Sequence, residues 1–309
     1  MLRKVVQGVL KNSRVQSFVE SSALGEATAD QFIAGLHVND AVDAVIQLKD
    51  AGFLATVERL LESPADESHA QSNAIAYIDC IRALAGAGLG RDLDLTVQLS
   101  ALGLALINGE NIASDNLSKV CQVAYEMDMT VTVGMEKVEF VPATLRIIHS
   151  LSERFSNLGI TLQSSLLRSE QDAAVFAASG ARVRLCKGAF TQDPDHSHTA
   201  KADVDKAFVR EMRTLLKSSA YVMIATHDSR LLQIGQALAL RSGRTKDSFE
   251  FQMYLGVSES EQKRLLGLNH RVRIHVPFGQ QWYPLVTQRL TQTPKSFGKA
   301  ITSLLPGKS

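Results

Sequence analysis

Short runs in which apolar and polar side chains alternate recur along the chain. They are separated by longer segments whose apolar positions recur every three or four residues, which is the periodicity of an amphipathic helix. An alternation of period two is typical of a strand, because successive side chains point to opposite faces. The strand-like runs begin at Leu54, Leu95, Thr130, Ile160, Arg182, Tyr221, Phe249 and Arg271. Helices are predicted, among other places, at 40–51, 143–157, 202–218, 229–242 and 285–293.

This alternation of strands and helices predicts parallel βαβ units and therefore an α/β protein. The number of strands favours a closed (βα)8 barrel of the TIM type over an open doubly wound sheet. No low-complexity or Pro/Gly-rich linker divides the chain. We therefore expect residues 1–37 to form an N-terminal helical arm and residues 38–309 to form the barrel.

Bulk composition narrows the class of protein. The chain has 309 residues, of which 45% are hydrophobic and 21% charged, as is usual for a soluble globular protein. Its formal net charge of +1 gives no indication of nucleic-acid binding, and no apolar run approaches the length that spans a membrane. Cys80, Cys121 and Cys186 lie far apart, which argues against a disulfide framework or a zinc site. A cytoplasmic enzyme or binding protein is expected.

The ends of the predicted strands carry mostly polar residues. In (βα)8 barrels the active site lies at the C-terminal ends of the strands. The residues at or near those ends are Glu58, Gln98, Ser100, Gly134, Glu136, Gln163, Lys187, Thr226, His227, Asp228, Gln252 and His275. Neither of the common glycine-rich nucleotide-binding patterns occurs. The polar strand ends indicate a binding or catalytic site that does not use those loops.

Arg184 is the most informative of the charged residues. It lies in the run Arg182–Cys186, where alternation places Val183 and Leu185 on one face and Arg184 on the other. A buried guanidinium needs an anion or dense hydrogen bonding. Arg184, together with Lys187 and the small residues that follow Lys187, would suit an anionic ligand such as a phosphate or a reduced flavin. The alternative is a structural ion pair with Glu136 or Glu250.

Two other segments carry candidate chemistry. Ala225–Asp228 ends a strand with a hydroxyl, an imidazole and a carboxylate, which could bind a cofactor or transfer a proton. Alternatively Asp228 caps the next helix, and both interpretations can hold together. The segment 193–198 places His196 and His198 beside carboxylates, as in some metal sites. Its proline and small polar residues favour a hydrated loop instead.

Several motifs occur in an order that resembles the monofunctional, FAD-dependent proline dehydrogenase family. They are Arg184-Leu-Cys-Lys-Gly-Ala-Phe190, Ala225-Thr-His-Asp228, Phe249-Glu-Phe-Gln-Met253, Arg273-Ile-His-Val-Pro-Phe-Gly279 and Trp282-Tyr-Pro284, followed by Arg289-Leu290. The resemblance covers roughly residues 38–295. It implies a (βα)8 barrel whose last helix lies over the barrel mouth. It also implies that a hydride passes from the carbon next to the ring nitrogen of L-proline to the flavin, giving the cyclic imine.

The residues that bind the flavin in this family are retained. They correspond here to Gln163, Arg184, Lys187, Gly188, Ala189, Thr226 and His227. Arg184 is implied to lie by the redox-active edge of the ring and to favour its reduced, anionic form. With His275 and Arg289, it makes up the expected catalytic set.

The expected substrate side departs from the family. Its residues here are Gln98, Phe190, Tyr254 and Gln288. Gln98 replaces a lysine, Gly134 an aspartate, and His275 and Phe190 each a tyrosine. The two arginines that hold the proline carboxylate are Gln288 and Arg289 here, and the usual Leu-Tyr pair is inverted to Tyr254-Leu255. Arg289 alone would hold a carboxylate weakly, since each charge-assisted hydrogen bond contributes about 1.5–3 kcal/mol.

Four hypotheses follow. The first is oxidation of L-proline or a close cyclic amine, and the second is a flavoprotein dehydrogenase of an amine that has no gripped carboxylate. The third is a non-catalytic flavin-binding paralogue. The fourth is a metal-dependent hydrolase that uses His196, His198 and His227, although no specific metal pattern supports it. We expect a small amine substrate, FAD as cofactor and no metal.

The resemblance also bears on partners and location. We expect a cytoplasmic protein. The family usually passes electrons to a membrane quinone, so peripheral attachment to the inner membrane is the alternative. No nucleic-acid partner is expected from the charge.

Overall fold

The computed structural model of the protein describes residues 29–188 and 194–292. Its strands close into a parallel barrel, because the first strand pairs with both the second and the last. In chain order the strands are β1 (Leu54–Arg59), β2 (Asp94–Val97), β3 (Thr130–Val133), β4 (Leu158–Gln163), β5 (Arg182–Cys186), β6 (Tyr221–Ala225), β7 (Phe249–Tyr254) and β8 (Val272–Phe278). The predicted (βα)8 barrel is confirmed.

Helices connect consecutive strands on the outside of the barrel. Within the described ranges they are α1 (Val38–Asp50), α2 (Glu67–Gly86), α3 (Gly109–Glu126), α4 (Val141–Ser152), α5 (Ser169–Ser179), α6 (Lys201–Leu216), α7 (Ser229–Arg241), α8 (Glu259–Gly267) and α9 (Tyr283–Gln292). A short 3₁₀ helix, Val138–Phe140, precedes α4. Local capping sets several boundaries: the Asp66 carboxylate accepts a hydrogen bond from the backbone N–H of His69 at 2.8 Å and begins α2.

The two faces of the strands differ in chemistry. Val183 and Leu185 on β5 are completely buried and belong to the same hydrophobic cluster as Phe208 and Met212 of α6. Burying each such side chain stabilises the fold by roughly 1.5–3 kcal/mol. The opposite face points into the barrel, and its buried residues are largely polar or charged. The barrel interior is therefore a hydrogen-bonded network.

A second hydrophobic cluster positions α9. Trp282, Tyr283 and Val286 are buried in it together with Phe32 and Ile33 from the start of the described chain. The aromatic residues that open α9 thus serve packing. Farther along the helix its side chains reach the barrel mouth, as described below.

Some boundaries differ from the sequence-based predictions. The helix predicted to run to residue 157 ends at Ser152, and Asn157 instead donates to the carbonyl oxygens of Cys121 (3.2 Å) and Met129 (3.1 Å). The second strand begins at Asp94, one residue before the predicted start. Most of the predicted N-terminal arm, residues 1–28, lies outside the described residues.

Candidate active site

Arg184 lies inside the barrel with every nitrogen of its guanidinium hydrogen-bonded. Nε donates to Gln252 Oε1 at 2.7 Å and Nη1 donates to Thr96 Oγ1 at 2.9 Å. Nη2 donates to Asp94 Oδ2 at 3.0 Å, and this ion pair is almost completely buried. The partner is therefore Asp94, and the predicted alternative of Glu136 or Glu250 is wrong. Asp94 was not among the predicted partners, because the second strand was predicted to begin at Leu95, one residue later.

Asp94 is itself surrounded by hydroxyl groups. Oδ2 accepts from Thr56 Oγ1 at 2.7 Å, and Oδ1 accepts from Thr130 and Thr132 at 2.7 and 2.8 Å. Hydroxyl groups from two strands, β1 and β3, thereby hold the carboxylate in place. Since a buried ion pair is tolerated only when its remaining lone pairs are satisfied, this arrangement fixes Arg184 in one position.

A second buried ion pair shares the interior. Arg273 Nε and Nη2 donate to Glu250 at 2.6 and 3.0 Å, and the Tyr221 hydroxyl donates to the same carboxylate at 2.7 Å. Burial alone would raise the pKa of Glu250, but the charge and hydrogen bonds of Arg273 lower it to about 2. Gln252 Nε2 also donates to Glu250 at 2.6 Å. Because Gln252 contacts Arg184 as well, it links the two ion pairs.

Glu58, Gln98 and His275 meet near the C-terminal ends of their strands. Gln98 Nε2 donates to Glu58 Oε1 at 2.8 Å, and His275 Nε2 lies 2.6 Å from Glu58 Oε2. Burial lowers the pKa of His275 and keeps its imidazole neutral near pH 7. For Glu58, burial raises the pKa, but the hydrogen bonds from His275 and Gln98 and the nearby charges lower it overall. Two neutral donors, Gln98 and His275, therefore hold the buried Glu58 carboxylate.

Tyr254 connects the cluster of Glu58, Gln98 and His275 to α9. Its ring centroid lies 4.6 Å from that of His275, and the guanidinium carbon of Arg289 lies 3.3 Å from the Tyr254 centroid. The backbone N–H of Tyr254 donates to His227 Nε2 at 3.0 Å. Burial of the ring, together with the positive charge of Arg289, lowers the pKa of His227 to about 4. The cation–π contact brings Arg289 of the last helix to the barrel mouth.

Lys187 lies between two carboxylates. Its Nζ is 2.7 Å from Asp205 Oδ1 and 3.0 Å from Asp228 Oδ2. The other oxygen of Asp228 accepts from the backbone N–H of Arg230 at 3.1 Å and caps α7. Asp228 thus caps the helix and holds Lys187 at the same time. Burial raises the pKa of Asp205, and hydrogen bonds from Lys187 and Lys201 lower it to about 2.

The backbone at Gly188 forms a cradle that fits an anionic cofactor. Its φ of +98° is in the region that favours glycine. A Cβ there would collide with Ser165 Oγ and lie 2.9 Å from Gln163 Oε1. Within 29–188 and 194–292, the buried Ser165 hydroxyl has no hydrogen-bond partner. An unused donor beside Lys187 and a glycine without a side chain suit a close approach by phosphate or ring oxygens.

The other expected site residues are distributed as follows. Gln163 Nε2 donates to the carbonyl oxygen of Glu136 at 2.9 Å, and Thr226 Oγ1 accepts from the N–H of Asp228 at 3.2 Å. Ala189 and Phe190 lie outside the described residues, as does the side chain of Gln288.

The segment that contains His196 and His198, the candidate metal ligands, is held by backbone hydrogen bonds. The N–H of Leu167 donates to the carbonyl of His196 at 3.0 Å, and the N–H of His198 donates to that of Ser165 at 2.8 Å. In the described part of the chain, no group of three or more His, Cys, Asp and Glu side chains could hold a metal ion. None of the helices described is long and apolar enough to cross a membrane.

Comparison with known sequences decides the family. A model of the family described as "Proline dehydrogenase" matches residues 41–283. The chain belongs to the proline dehydrogenase family. It is 29% identical over 313 residues to the proline dehydrogenase of Deinococcus radiodurans, with 99% of each chain covered. It is also 29% identical over 307 residues to proline dehydrogenase 1 of Bacillus subtilis strain 168, with 99% of each covered.

Solved structures with the same barrel are larger proteins. Proline utilization A from Bdellovibrio bacteriovorus superposes with a TM-score of 0.81 at 22% identity, over 92% of this chain and 34% of that one. Proline utilization A from Bradyrhizobium japonicum gives a TM-score of 0.71 at 20% identity, over 87% of this chain and 31% of that one. These likenesses support the barrel fold of the proline dehydrogenase family.

The structure links two departures from the usual family residues. A Cβ on Gly134 would lie 2.6 Å from both Nε2 and Oε1 of Gln98. The Gln98 amide therefore occupies the space in which an aspartate at 134 would begin. Because Gln98 is held there by Glu58, the glycine and the glutamine depend on each other.

We expect Gly134→Asp to destabilise the protein by about 1–3 kcal/mol, because it displaces Gln98 and leaves the Glu58 carboxylate short of a donor. Adding Gln98→Lys should recover part of this loss by supplying a cation to the new aspartate. Urea unfolding of the wild type, both single variants and the double variant should give a coupling energy of about 0.5–3 kcal/mol. Gly134→Ala, which adds the Cβ without the charge, is the control. Additive effects would show that the two positions are independent.

Proposed function

We propose that this chain is an FAD-dependent oxidoreductase that removes a hydride from the carbon next to the ring nitrogen of L-proline or a close cyclic amine and releases the cyclic imine. One observation carries the proposal. The chain matches the proline dehydrogenase family over residues 41–283, and Lys187, Gly188 and Ser165, whose hydroxyl has no hydrogen-bond partner among the described residues, form a cradle at the strand ends.

Seven residues would hold FAD. They are Gln163, Arg184, Lys187, Gly188, Ala189, Thr226 and His227. Bound FAD would accept the hydride with both electrons of the broken C–H bond. Lys187 supplies positive charge at the rim, and Arg184 supplies a buried positive charge that favours negative charge nearby. The Arg184 charge is held in place by Asp94 and therefore needs no rearrangement during the reaction.

The substrate side would be formed by Tyr254, His275 and Arg289. The nitrogen lone pair forms the C=N bond as the C–H bond breaks, so the nitrogen must lose its extra proton before the hydride leaves. His275, neutral because burial lowers its pKa, is able to take up a proton. Arg289, stacked 3.3 Å from the Tyr254 centroid, would anchor a substrate carboxylate. As part of α9, it also helps to keep water out of the mouth.

A second candidate within the same chemistry is an amine without a gripped carboxylate. Gln98 stands where the family usually has a lysine, and its amide nitrogen is engaged by Glu58 at 2.8 Å. Lys187 is engaged by Asp205 and Asp228. Of the two arginines that usually hold the proline carboxylate in this family, the chain keeps the one at position 289. This favours substrates whose binding relies less on a carboxylate.

Reconstitution with FAD tests the proposal. The purified protein should bind FAD and show a visible flavin spectrum, and anaerobic addition of L-proline or pyrrolidine should bleach it. Bleaching is expected because both substrates carry a hydrogen on the carbon next to the nitrogen. Cyclopentanecarboxylate has the ring and the carboxylate but no ring nitrogen, so it should leave the flavin in its oxidised form. Protein that takes up no flavin would contradict the proposal outright.

For the electron acceptor we propose a quinone at the membrane surface, as the family resemblance implies. Reoxidation of the bleached protein by a water-soluble quinone, faster than by oxygen, would support it. Attachment to quinone-containing vesicles should then be peripheral.

A further inference from the structure

The Glu58 carboxylate has different partners from the other carboxylates that lie inside the barrel or at its rim. Asp94 is paired with Arg184 at 3.0 Å. Asp205 and Asp228 are paired with Lys187 at 2.7 and 3.0 Å. Each of these three acids therefore faces a permanent cation.

Glu58 instead contacts an imidazole and an amide. His275 Nε2 lies 2.6 Å from one carboxylate oxygen and Gln98 Nε2 lies 2.8 Å from the other. Its described contacts include no lysine or arginine ion pair. Glu136, a neighbouring acid, is held by Ser100, and burial raises its pKa towards the neutral form. Among the described residues, Glu58 therefore presents a buried negative charge with neutral donors.

The Glu58 carboxylate keeps lone pairs that its described partners do not use. A carboxylate offers about four lone-pair sites, and the contacts with His275 and Gln98 use one on each oxygen. A buried carboxylate is stabilised most by a cation that also donates hydrogen bonds. A protonated secondary amine meets both conditions, whereas a carboxylate brought to the same place would be repelled.

The position of Glu58 ties it to the proposed substrate pocket. His275 contacts Glu58 on one side, and its ring lies 4.6 Å from that of Tyr254 on the other. The guanidinium of Arg289 in turn stacks on the Tyr254 ring. The carboxylate therefore lies at the inner end of a column of contacts that leads to the last helix.

We infer that Glu58 is a specificity-determining residue, whose carboxylate binds the cationic nitrogen of a cyclic amine and favours amines without a carboxylate over L-proline. This inference rests on the proposed function, which it narrows to one substrate class. It concerns binding of the protonated amine, which precedes loss of the proton and hydride transfer.

The test uses the FAD-reconstituted full chain. Anaerobic bleaching should give a higher kcat/KM for pyrrolidine than for L-proline in the wild type. Glu58→Gln keeps the size of the side chain but removes its charge, and should lower kcat/KM for pyrrolidine by about 10- to 100-fold, the loss of one charge-assisted hydrogen bond. L-proline should lose less. Glu110→Gln, which removes an exposed acid paired with Arg146 at 2.7 Å, should leave both values unchanged.

Binding to the wild type provides a second readout that needs no variant to fold. Calorimetry should show that pyrrolidine binds more tightly than cyclopentanecarboxylate, which carries the anion without the nitrogen. Equal or tighter binding of cyclopentanecarboxylate would overturn the inference, as would an unchanged substrate ratio in Glu58→Gln. If pyrrolidine binds but neither pyrrolidine nor L-proline bleaches the flavin, the proposed function is refuted while the role of Glu58 in amine binding is supported.

Discussion

Replacing Arg184 with methionine should destabilise the protein by about 3–5 kcal/mol, because it leaves the buried Asp94 carboxylate without its cation. The side chain makes hydrogen bonds to Gln252, Thr96 and Asp94 at 2.7, 2.9 and 3.0 Å, and all of them are lost. Urea unfolding of the protein without added FAD measures this loss separately from cofactor binding. With FAD present, the variant should also gain less stability than the wild type, because the buried positive charge is gone.

Two further variants serve as controls for the loss of stability in Arg184→Met. Adding Asp94→Asn to Arg184→Met removes both charges and should unfold at a higher urea concentration than Arg184→Met alone. Arg210→Met breaks an exposed pair with Glu170 and should cost no more than about 1 kcal/mol. Equal losses for Arg184→Met and Arg210→Met would show that the interior pair does not support the fold.

Gly188→Ala should cost about 2–6 kcal/mol and remove FAD binding. The backbone φ of +98° is strained for any residue with a Cβ, at about 1–3 kcal/mol. The collision of that Cβ with Ser165 and its 2.9 Å approach to Gln163 Oε1 add about 1–3 kcal/mol of overpacking. Relief requires the backbone after Lys187 to move, which shifts the cradle. Fluorescence titration with FAD and urea unfolding measure the two effects.

Gly243→Ala is the matched control. Gly243 also has a positive φ, +64°, but a Cβ there would have nothing within 4 Å. It should lose only about 1–2 kcal/mol from strain and retain its FAD affinity. If Gly188→Ala behaved in the same way as this control, the space around Gly188 would not serve a ligand.

The barrel was predictable because its signals are local. Alternation in Arg182–Cys186 placed Val183 and Leu185 on the outer face, and they are fully buried there. The period-two and helical patterns identify each strand and helix even where a predicted boundary is wrong by a few residues, as at α4, which ends at Ser152. The order of motifs such as Ala225–Asp228 was also local, and it was sufficient to indicate the proline dehydrogenase family.

The partners across the barrel were not predictable in this way. Arg184 and Asp94 are 90 residues apart in sequence, and Glu58 and His275 are 217 apart. Which inward side chains meet depends on the stagger of strands around the closed barrel, and no single strand carries that information. From the sequence, Glu58 was predicted only as one of the polar residues at the strand ends.

The primary sequence, through local periodicity and motif order, was sufficient for eight strands, a buried Arg184 and the family. Barrel closure decided that this arginine meets Asp94 and that Glu58 is held by Gln98 and His275. It also decided that Gly134 is matched to Gln98. The physical reason is that periodicity assigns each side chain to a face, whereas charge pairing inside the barrel depends on distances set by all eight strands together.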